Sequence, residues 1–514
     1  MNRKLLFAIF VSLLVVPVVT SGSYAATPTT TDVPVNLVYY NYIEKLSGMG
    51  YITSMPTGAK PYSRAQMAKW VQEAEANATN KPMPGYLADQ LKALETYLAP
   101  ELSAAQTGAY NRPIQLTQAT AEYNYLGGTS QQTNSYGGRY INASWQPFGS
   151  QRQGYLLGTG SSFDTTARVE GNLTNHIAVS LTPRFDYTKE ADGKATLAEG
   201  YAKIGFGAMA LIAGKEAMTW GQGASGNLLL GDNMRSLTAV RLETAEPIKI
   251  GGFFHFLGEI TPHVFYTQLE SNRADIASAY GATDVDDVGL LGTRIDITPT
   301  NYFTLGISRL SMLGGNHNGL NSSDWGDWLT GTNAYMHDKW DDIAGFDARL
   351  RLPGVQFYGE LYGEDQSNYM PSQVGYRAGM YIPNLAGNGS WDLTMETAKT
   401  GHNWYYHGRY QNGWTYHGQI MGDQMGPDAQ AFFAKVNHYW TGERSMGIFV
   451  KRTSRNHEFS AAPTDTEVGV TGQYKVSPNT YLNGELGLSH GTNQLGSDDT
   501  TNSTFVNLAM TKMF

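Results

Sequence analysis

Residues 481–488 read YLNGELGL, and they alternate strictly between two kinds of side chain. The odd positions hold tyrosine, asparagine and glutamate, whereas the even positions hold Leu482, Gly484, Leu486 and Leu488. Successive side chains of a β-strand point to opposite faces, so a period of two predicts a strand with one polar face and one apolar face.

The last residues, 506–514, repeat this pattern. One face carries Val506, Leu508, Met510 and Phe514, and the other carries Asn507 and Thr511. A chain that ends in such a strand on Phe514 resembles the insertion signal by which outer-membrane barrels are recognised. Lys512 interrupts the apolar face, but near a membrane interface its ammonium group reaches the lipid headgroups.

The composition favours a membrane barrel over a helical protein. The 514 residues include 58 glycines, 32 tyrosines and no cysteine, and the mean hydropathy is negative. After the N-terminal segment no apolar run reaches the length of a transmembrane helix. Short alternating strands with abundant tyrosine are typical of transmembrane β-barrels, in which one strand face meets lipid and aromatic residues line both interfaces. A soluble β-sandwich or propeller is the alternative, and the terminal strand argues against it.

Connection lengths support the barrel. Short turns are expected at residues 298–301, 352–354 and 476–479, and long polar loops at residues 270–288, 313–342, 454–465 and 491–503. Short turns on one side and long loops on the other characterise outer-membrane barrels. We therefore predict a closed transmembrane antiparallel β-barrel over residues 115–514, with about 18 to 22 strands and loops around Trp220 and Trp325 on the outer side.

The N-terminus predicts export. Arg3 and Lys4 precede the apolar run 5–19, and small residues follow at 23–25, so residues 1–25 are predicted to be a signal peptide. An uncleaved membrane anchor is the alternative. Residues 26–35 are rich in threonine and proline and are predicted to be a disordered linker.

Residues 36–110 predict a small periplasmic α-helical domain. Apolar residues recur at helical spacing in three segments, and Ser63 is a favourable N-cap for the second. The sequences YIEKLSGMGYI (42–52) and KPYSRAQMAKWV (60–71) are similar to an S-layer-homology module, although residues 63–66 read Ser-Arg-Ala-Gln instead of the usual Thr-Arg-Ala-Glu. The domain is expected to cap the barrel, and binding of a wall polymer is the alternative.

Three stretches resemble the Wzi capsule assembly family of outer-membrane proteins. They are WGQGASGNLLLGDN (220–233), IAGFDARLRLP with YGELYGEDQ (343–353 and 358–366), and YQNGWTYHGQIMGDQMGPD (410–428). The family's usual Trp-Gly-Pro-Gly is Trp-Gly-Gln-Gly in this chain. The resemblance implies a barrel of about eighteen strands with a periplasmic helical bundle. It also implies a lectin-like role, in which the protein binds capsular polysaccharide and holds it at the cell surface.

The residue types also suit sugar binding, since indole and phenol rings stack on sugars while amides, carboxylates and guanidinium groups bond hydroxyls. The candidate polysaccharide-binding residues are Trp220, Asn227, Asn233, Arg235, Trp325, Trp328, Trp404, His407, Arg409, Trp414, Asp423 and Asp428. For each tryptophan, packing or an interfacial girdle is the alternative. A strand face of alternating tyrosine and glutamate is expensive in lipid, so Tyr358, Glu360, Tyr362 and Glu364 are predicted to form a polar lattice in the lumen.

Other functions are less well supported. His402, His407 and His417 lack the spacing of a metal site, Asp284, Asp286 and Asp287 lack that of a calcium loop, and no cofactor is predicted. No nucleophile motif, phosphate loop or basic patch points to an enzyme or to nucleic acid. A diffusion porin for small polar solutes is the main alternative. The expected partners are capsular polysaccharide, outer-membrane lipid and the barrel assembly machinery, and the net charge of −9 requires local arginines or bridging cations if the glycan is anionic.

Overall fold

The computed structural model describes residues 28–128, 132–133, 140–188, 193–330, 339–367, 370–456, 462–493 and 500–514. The predicted signal peptide, residues 1–25, lies outside the described residues. No described helix is both long enough and apolar enough to cross a bilayer.

Eighteen antiparallel strands of the described chain close into one barrel, which confirms the predicted fold class. They are β1 (Gln115–Gly127), β2 (Gly160–Thr174), β3 (Ile177–Thr188), β4 (Lys194–Phe206), β5 (Met209–Glu216), β6 (Leu237–Thr244, continued by Ile248–Lys249), β7 (Glu259–Gln268), β8 (Gly289–Thr300), β9 (Phe303–Leu313), β10 (Trp340–Leu352), β11 (Val355–Ser367), β12 (Met370–Ile382), β13 (Trp391–Lys399), β14 (Ala429–Thr441), β15 (Arg444–Arg455), β16 (Thr464–Ser477), β17 (Thr480–Thr492) and β18 (Thr500–Met513).

Neighbouring barrel strands are also neighbours along the chain, and β18 closes the ring by pairing with β1. At one end, which we call the short-turn end, most strands are joined by two residues, as at 301–302 and 478–479. At the opposite, long-loop end the connections include residues 217–236 and 400–428. The alternation matches the sequence prediction, apart from the two-residue connection between β11 and β12 at the long-loop end.

The two faces of the wall differ as predicted. On β17, Leu486 and Leu488 are both 59% exposed on the outside, whereas Tyr481 is 7% exposed on the inside. Large exposed rings form one belt near each end of the barrel. Phe206, Tyr302, Trp391, Trp440, Tyr474 and Phe514 lie near the short-turn end, and Tyr125, Phe163, Tyr187 and Tyr266 near the long-loop end. An apolar outer band between two aromatic belts is the lipid-facing surface of a transmembrane barrel.

The helices lie mainly before β1. They are α1 (Tyr39–Gly48), α2 (Arg64–Ala78), α3 (Gly85–Tyr97) and α4 (Ala99–Thr107), followed in the loops by a 3₁₀ helix (Gly252–Leu257), α5 (Arg273–Ser278) and α6 (Ser322–Thr330). Ser63 caps α2 as predicted, because its Oγ accepts a hydrogen bond from Gln66 N at 3.1 Å.

The four N-terminal helices share an apolar core and sit at the short-turn end. Lys45 of α1 donates to the carbonyl of Pro383 at 2.7 Å and pairs with Asp392 of β13 at 3.0 Å. Tyr42 donates to the carbonyl of Gly442, in the turn between β14 and β15, at 3.1 Å. The helical region is thus bound to the rim of the barrel through several strands.

The predicted disordered linker, residues 26–35, is wrong from residue 28 onward. Residues 30–33 are buried inside the barrel, and Asp32 pairs with Lys203 at 2.7 Å and Arg241 at 3.0 Å. The NH2 group of Arg168 also donates to the carbonyl of Asp32 at 3.1 Å. Threonine-rich composition suggested a solvated tether, but a carboxylate between two inward-pointing cations, together with backbone hydrogen bonds, holds this segment to the wall.

One sector of the outer wall departs from the apolar pattern. Ser311 of β9 lies between Leu310 and Met312, which both point into the lumen, so its side chain points outward, yet it is fully buried. Trp328 of α6 covers it, and its Nε1 donates to Ser311 Oγ at 2.9 Å. The outward ion pair Arg309–Asp342, at 2.6 Å, lies under the same indole. Helix α6 therefore covers a polar seam on the outside of the barrel near the long-loop end.

Candidate functional site

Two long connections, residues 217–236 and 400–428, fold back into the barrel, and we call them the plug. Leu228, Trp404 and Trp414 of the plug are fully buried together with Leu310 and Ile343 of the wall. The two parts bond each other, since Gly231 N donates to the carbonyl of Met421 at 2.8 Å. The Gly-rich insert is therefore an ordered element inside the lumen.

A single wall carboxylate, Glu360 of β11, fixes the first part of the plug. Its Oε1 accepts hydrogen bonds from the backbone N–H groups of Gln222 at 3.0 Å and Gly223 at 2.9 Å, and its Oε2 accepts one from Leu228 at 2.7 Å. Gly221 has a φ of 142°, and a Cβ there would lie 2.6 Å from the same carboxylate. The glycine is required because the backbone passes so close to the wall.

A second contact lies one strand pair further round. Glu396 of β13 accepts from the N–H groups of Ala224 at 2.5 Å and Ser225 at 3.0 Å, and it pairs with Arg377 at 2.7 Å. Arg377 also pairs with Asp423 in the other part of the plug. The guanidinium group of Arg377 therefore links the wall to both parts of the plug. It is buried, and an unpaired charge there would be costly.

The alternating tyrosines and glutamates of β11 all point inward and serve the same purpose. Tyr358 donates to Glu396 at 2.8 Å, and Tyr362 donates to Asp347 at 3.0 Å. Glu364 accepts from Tyr405 N in the plug at 2.6 Å. The glutamates thus bond the plug directly, and the tyrosines bond wall carboxylates.

The N-terminal region reaches the plug from the opposite end. Residues Ala59–Lys60 pair with Thr219–Trp220 as a short two-stranded sheet, and Gly221 N donates to the carbonyl of Gly58 at 3.0 Å. The lumen is thus occupied from both ends by chain that meets at Trp220.

Three cavities, of about 590, 570 and 370 Å³, lie beside the plug. Asn36 and Gln151 line all three, and the first is bordered by the inward faces of β1 to β4. In the third cavity, burial raises the pKa of Glu44, but Arg349 and Lys60 outweigh burial and hold that pKa below its ordinary value. Burial lowers the pKa of Lys60, and Glu44 opposes that shift.

The first cavity reaches the long-loop end of the barrel, where Thr188 and Lys194 border it. The ring of Tyr155 lies between two guanidinium groups, 3.8 Å from that of Arg184 and 5.5 Å from that of Arg235. Thr188, Lys194 and His417 border the same opening. A half-buried ring beside two cations and hydroxyl groups is suited to a polyhydroxylated or carboxylated ligand.

The structure separates the twelve predicted sugar-binding residues into two groups. Nine are buried, namely Trp220, Asn227, Asn233, Trp328, Trp404, His407, Trp414, Asp423 and Asp428. Trp220 packs edge-on against Phe265 at 5.2 Å, and Trp414 donates to Asp341 at 2.8 Å. These nine contact neighbouring protein in the plug or, for Trp328, in the outer wall, and Asn227 also borders the third cavity.

Three predicted residues keep accessible surface. Arg235 lies at the mouth of the first cavity, and Trp325 on α6 is 42% exposed. Arg409 is partly exposed and donates to Asn318 at 3.2 Å. They lie apart, since Arg235 borders the first cavity whereas Trp325 lies on α6, outside the wall.

Sequence analysis missed several residues of this region. Tyr155 and Arg184 shape the cavity mouth, and an exposed stack of Tyr140 on Tyr280, with centroids 5.2 Å apart, lies among the loops. Arg184 alternates with outward Phe185 on β3, a signal for a lumenal cation, but nothing local reveals that Tyr155 folds against it.

The acidic loop residues have structural partners. Asp284 accepts from Asn412 N at 2.8 Å and lies 3.4 Å from Arg273, and Asp286 accepts from Ala274 N at 2.8 Å. Within the described ranges, no three histidine or acidic side chains are grouped as metal ligands.

Fold and site together define the class as a transmembrane β-barrel of the outer-membrane type with a plugged lumen. A family model described as "Capsule assembly protein Wzi" matches residues 132–505, which is more than half of the chain. The chain therefore belongs to the Wzi capsule assembly family, as the three sequence stretches had indicated.

Two relatives are informative. An uncharacterised 55.8 kDa protein in the cps region of Klebsiella pneumoniae is 25% identical over 363 residues, which are 64% of this chain and 66% of that protein. The match thus spans slightly less than two thirds of the relative. The solved structure of Wzi from Escherichia coli superimposes with a TM-score of 0.70 at 19% identity, over 95% of this chain and 100% of that one. That protein is described as an outer-membrane, carbohydrate-binding β-barrel involved in group 1 capsule assembly.

Proposed function

We propose that the chain binds capsular polysaccharide at the long-loop end of the barrel, attaches it to the cell surface and catalyses no reaction. Family membership supports the capsular role, and the Escherichia coli protein of the same fold binds carbohydrate. The observation that carries the proposal is the anchored plug, because Glu360 and Glu396 fix inserted chain where a diffusion pore needs open space.

The proposed contact zone is the mouth of the first cavity, around Tyr155, Arg184 and Arg235. The overall charge of −9 disfavours an anionic glycan at long range. Two guanidinium groups lie beside Tyr155, and that of Arg184 is already paired with Asp164 at 3.1 Å and Asp186 at 2.5 Å. Trp325, on the outside near the same end, offers a second exposed ring.

The orientation follows from the same proposal. The long-loop end faces the exterior, and the short-turn end with α1 to α4 faces the periplasm. The outer band with its two aromatic belts contacts outer-membrane lipid. Strand β18, which ends beside Phe514, presents the terminal pattern that the barrel assembly machinery recognises.

The test is retention of glycan by cells that lack the protein. Deletion is expected to release capsular polysaccharide into the medium, and the wild-type gene is expected to restore it to the surface. An Arg235→Ala gene is expected to restore less, because one of the two cations at the mouth is lost. Arg444→Ala is the matched control, since Arg444 lies near Trp440 at the opposite end.

Binding of the purified barrel to polysaccharide isolated from the encoding strain gives a direct readout. Arg235→Ala is expected to weaken binding about fivefold or more, as for a contact near the centre of an interface. A deletion strain that keeps its full coat, with none in the medium, contradicts the capsular role. Equal binding by Arg235→Ala and Arg444→Ala contradicts the assigned mouth.

A further inference from the structure

The outer wall contains a patch of isoleucines that point toward lipid and yet are covered. Ile295 of β8 lies between Arg294 and Asp296, which pair with each other in the lumen, so its side chain points outward. Register partners share a face, and Ile307 beside it is paired with Phe346, which is 45% exposed on the outside. Ile295 nevertheless is only 5% exposed.

The covering element is residues 250–257, which form all but the last residue of the connection between β6 and β7, and we call it the Phe strap. Ile250 and Leu257 of the strap pack on a cluster formed by Ile248, Ile260 and Ile295. The 3₁₀ helix Gly252–Leu257 within the strap contacts β8. The strap therefore lies along the outside of the barrel, over wall positions that elsewhere face lipid.

The other face of the strap is strongly apolar and open. Phe253, Phe254 and Phe256 are 84%, 53% and 57% exposed. The strap sequence, IGGFFHFL, contains no acidic residue, lysine or arginine. Three neighbouring exposed phenylalanines are rare on a surface that meets only water.

The strap continues the aromatic belt of the short-turn end. Tyr302 occupies the next turn and is 63% exposed, and Phe206, at the end of β4, is 51% exposed. The strap also satisfies part of its own backbone, since Ile250 N donates to the carbonyl of Gly258 at 2.8 Å and Gly258 N to that of His255 at 3.0 Å. Internal bonding of this kind is needed where backbone enters the boundary between headgroups and acyl chains.

We propose that the Phe strap is a membrane-contacting element that inserts Phe253, Phe254 and Phe256 into the phospholipid leaflet at the short-turn end. The occupant of this surface is lipid, because the strap is continuous with the lipid-facing wall on which it lies. Its ligand chemistry is that of acyl chains, contacted by rings at the level of the aromatic belt. This assignment is independent of polysaccharide binding.

The chain has no cysteine, so single spin labels can be placed without altering other residues. A nitroxide is attached at Phe254→Cys in the full-length protein, reconstituted in vesicles of phosphatidylethanolamine and phosphatidylglycerol. Leu242→Cys, on the lipid-facing wall of β6, and Asn388→Cys, in an exposed turn at the same end, are the matched controls. Collision rates with oxygen, which concentrates in the bilayer, and with a water-soluble nickel complex are compared.

The label at Phe254→Cys is expected to favour oxygen over nickel, as at Leu242→Cys and unlike Asn388→Cys. A ratio equal to that at Asn388→Cys places the strap in water and overturns the proposal. Dipolar broadening between labels, which indicates contact with a second copy, overturns it as well. Heat-dependent gel mobility verifies the folded barrel, and Phe253→Cys provides the same measurement if Phe254→Cys does not fold.

Discussion

Glu360 fixes the plug through backbone donors alone. Its two oxygens accept three N–H groups from residues 222–228, and the carboxylate is buried on the inside of β11. A buried donor that loses its acceptor retains the full cost of its desolvation, about 1–3 kcal/mol. The Glu360 carboxylate therefore contributes to the path of this insert, together with the burial of Leu228 and Leu230.

Glu360→Gln is expected to loosen residues 217–236, because one oxygen becomes an NH₂ group that faces other donors. We expect a loss of about 1–3 kcal/mol in the docking of this insert. The measurement is limited proteolysis of the folded protein, in which cleavage within residues 217–236 should accelerate. Glu259→Gln, at an exposed carboxylate 3.8 Å from Lys249, is the control. Equal cleavage of the two variants would show that the three hydrogen bonds do not hold the insert.

The sequence predicted which stretches carry unusual clusters of aromatic and polar residues, but it did not predict whether those side chains are exposed. The tryptophans at 220, 404 and 414 were predicted to meet sugar, and all three are buried in the plug. An indole in a polar, Gly-rich loop is compatible with a ligand or with a partner loop. The choice depends on contacts between segments far apart in the chain, such as Gly231 with Met421, which no local pattern records.

At the scale of elements, the N-terminal segment is held by charge. Asp32 lies between Lys203 and Arg241, and both cations are almost fully buried. Breaking an isolated buried ion pair costs about 3–5 kcal/mol. Loss of the Asp32 carboxylate should cost less, because Lys203 keeps Glu243 at 3.1 Å and Arg241 keeps Glu216 at 2.6 Å. The Asp32 side chain is therefore one anchor of the segment to β4 and β6, beside the hydrogen bond from Asp32 N to the Tyr201 hydroxyl.

Asp32→Asn is expected to release residues 28–35 from the wall while the barrel remains closed. Hydrogen exchange of backbone amides in residues 29–35 should increase strongly, since Asp32 N also loses its fixed position on the Tyr201 hydroxyl at 2.8 Å. Asp275→Asn, at an exposed carboxylate on α5, should leave that exchange unchanged. Unaltered exchange in Asp32→Asn would indicate that packing alone orders the segment.

Strand elements were predictable where one face meets lipid and the other does not, as in β17 and β18. The interruption of β6 at residues 245–247 was not foreseen, and neither was the burial of outward-pointing Ile295. In both places a neighbouring segment lies on the outside of the wall, so exposure no longer follows strand alternation. The prediction of a disordered linker was wrong for a related reason, because composition does not reveal that Asp32 has charged partners on distant strands.

At the scale of the whole molecule, a barrel of eighteen strands is wide enough to conduct ions when its lumen is open. The wild-type protein is expected to show no steady large openings in a planar lipid bilayer. Deletion of residues 221–229, which removes the contacts with Glu360 and Glu396, is expected to produce them. Deletion of residues 385–388, in an exposed turn, is the control.

Steady large openings of the wild-type protein would contradict the plugged lumen and favour a diffusion porin. The sequence predicted closure of the barrel because closure follows from strand patterning repeated along the chain. The plug depends on how two loops and the N-terminal region meet inside the ring. These contacts join segments that are distant in the sequence, such as Lys60 and Thr219, so no local pattern predicts them.

The sector of β7 to β10 has a consequence for crowded membranes. Helix α6 thickens its outside near one end, and the Phe strap thickens it near the other. A neighbouring membrane protein that diffuses up to this sector contacts α6 or the Phe strap, whereas at β17 it contacts the strand itself, with Leu486 and Leu488 exposed. The outer surface of the barrel is therefore not the same all round, and lateral contacts with other membrane proteins should depend on the side from which they approach.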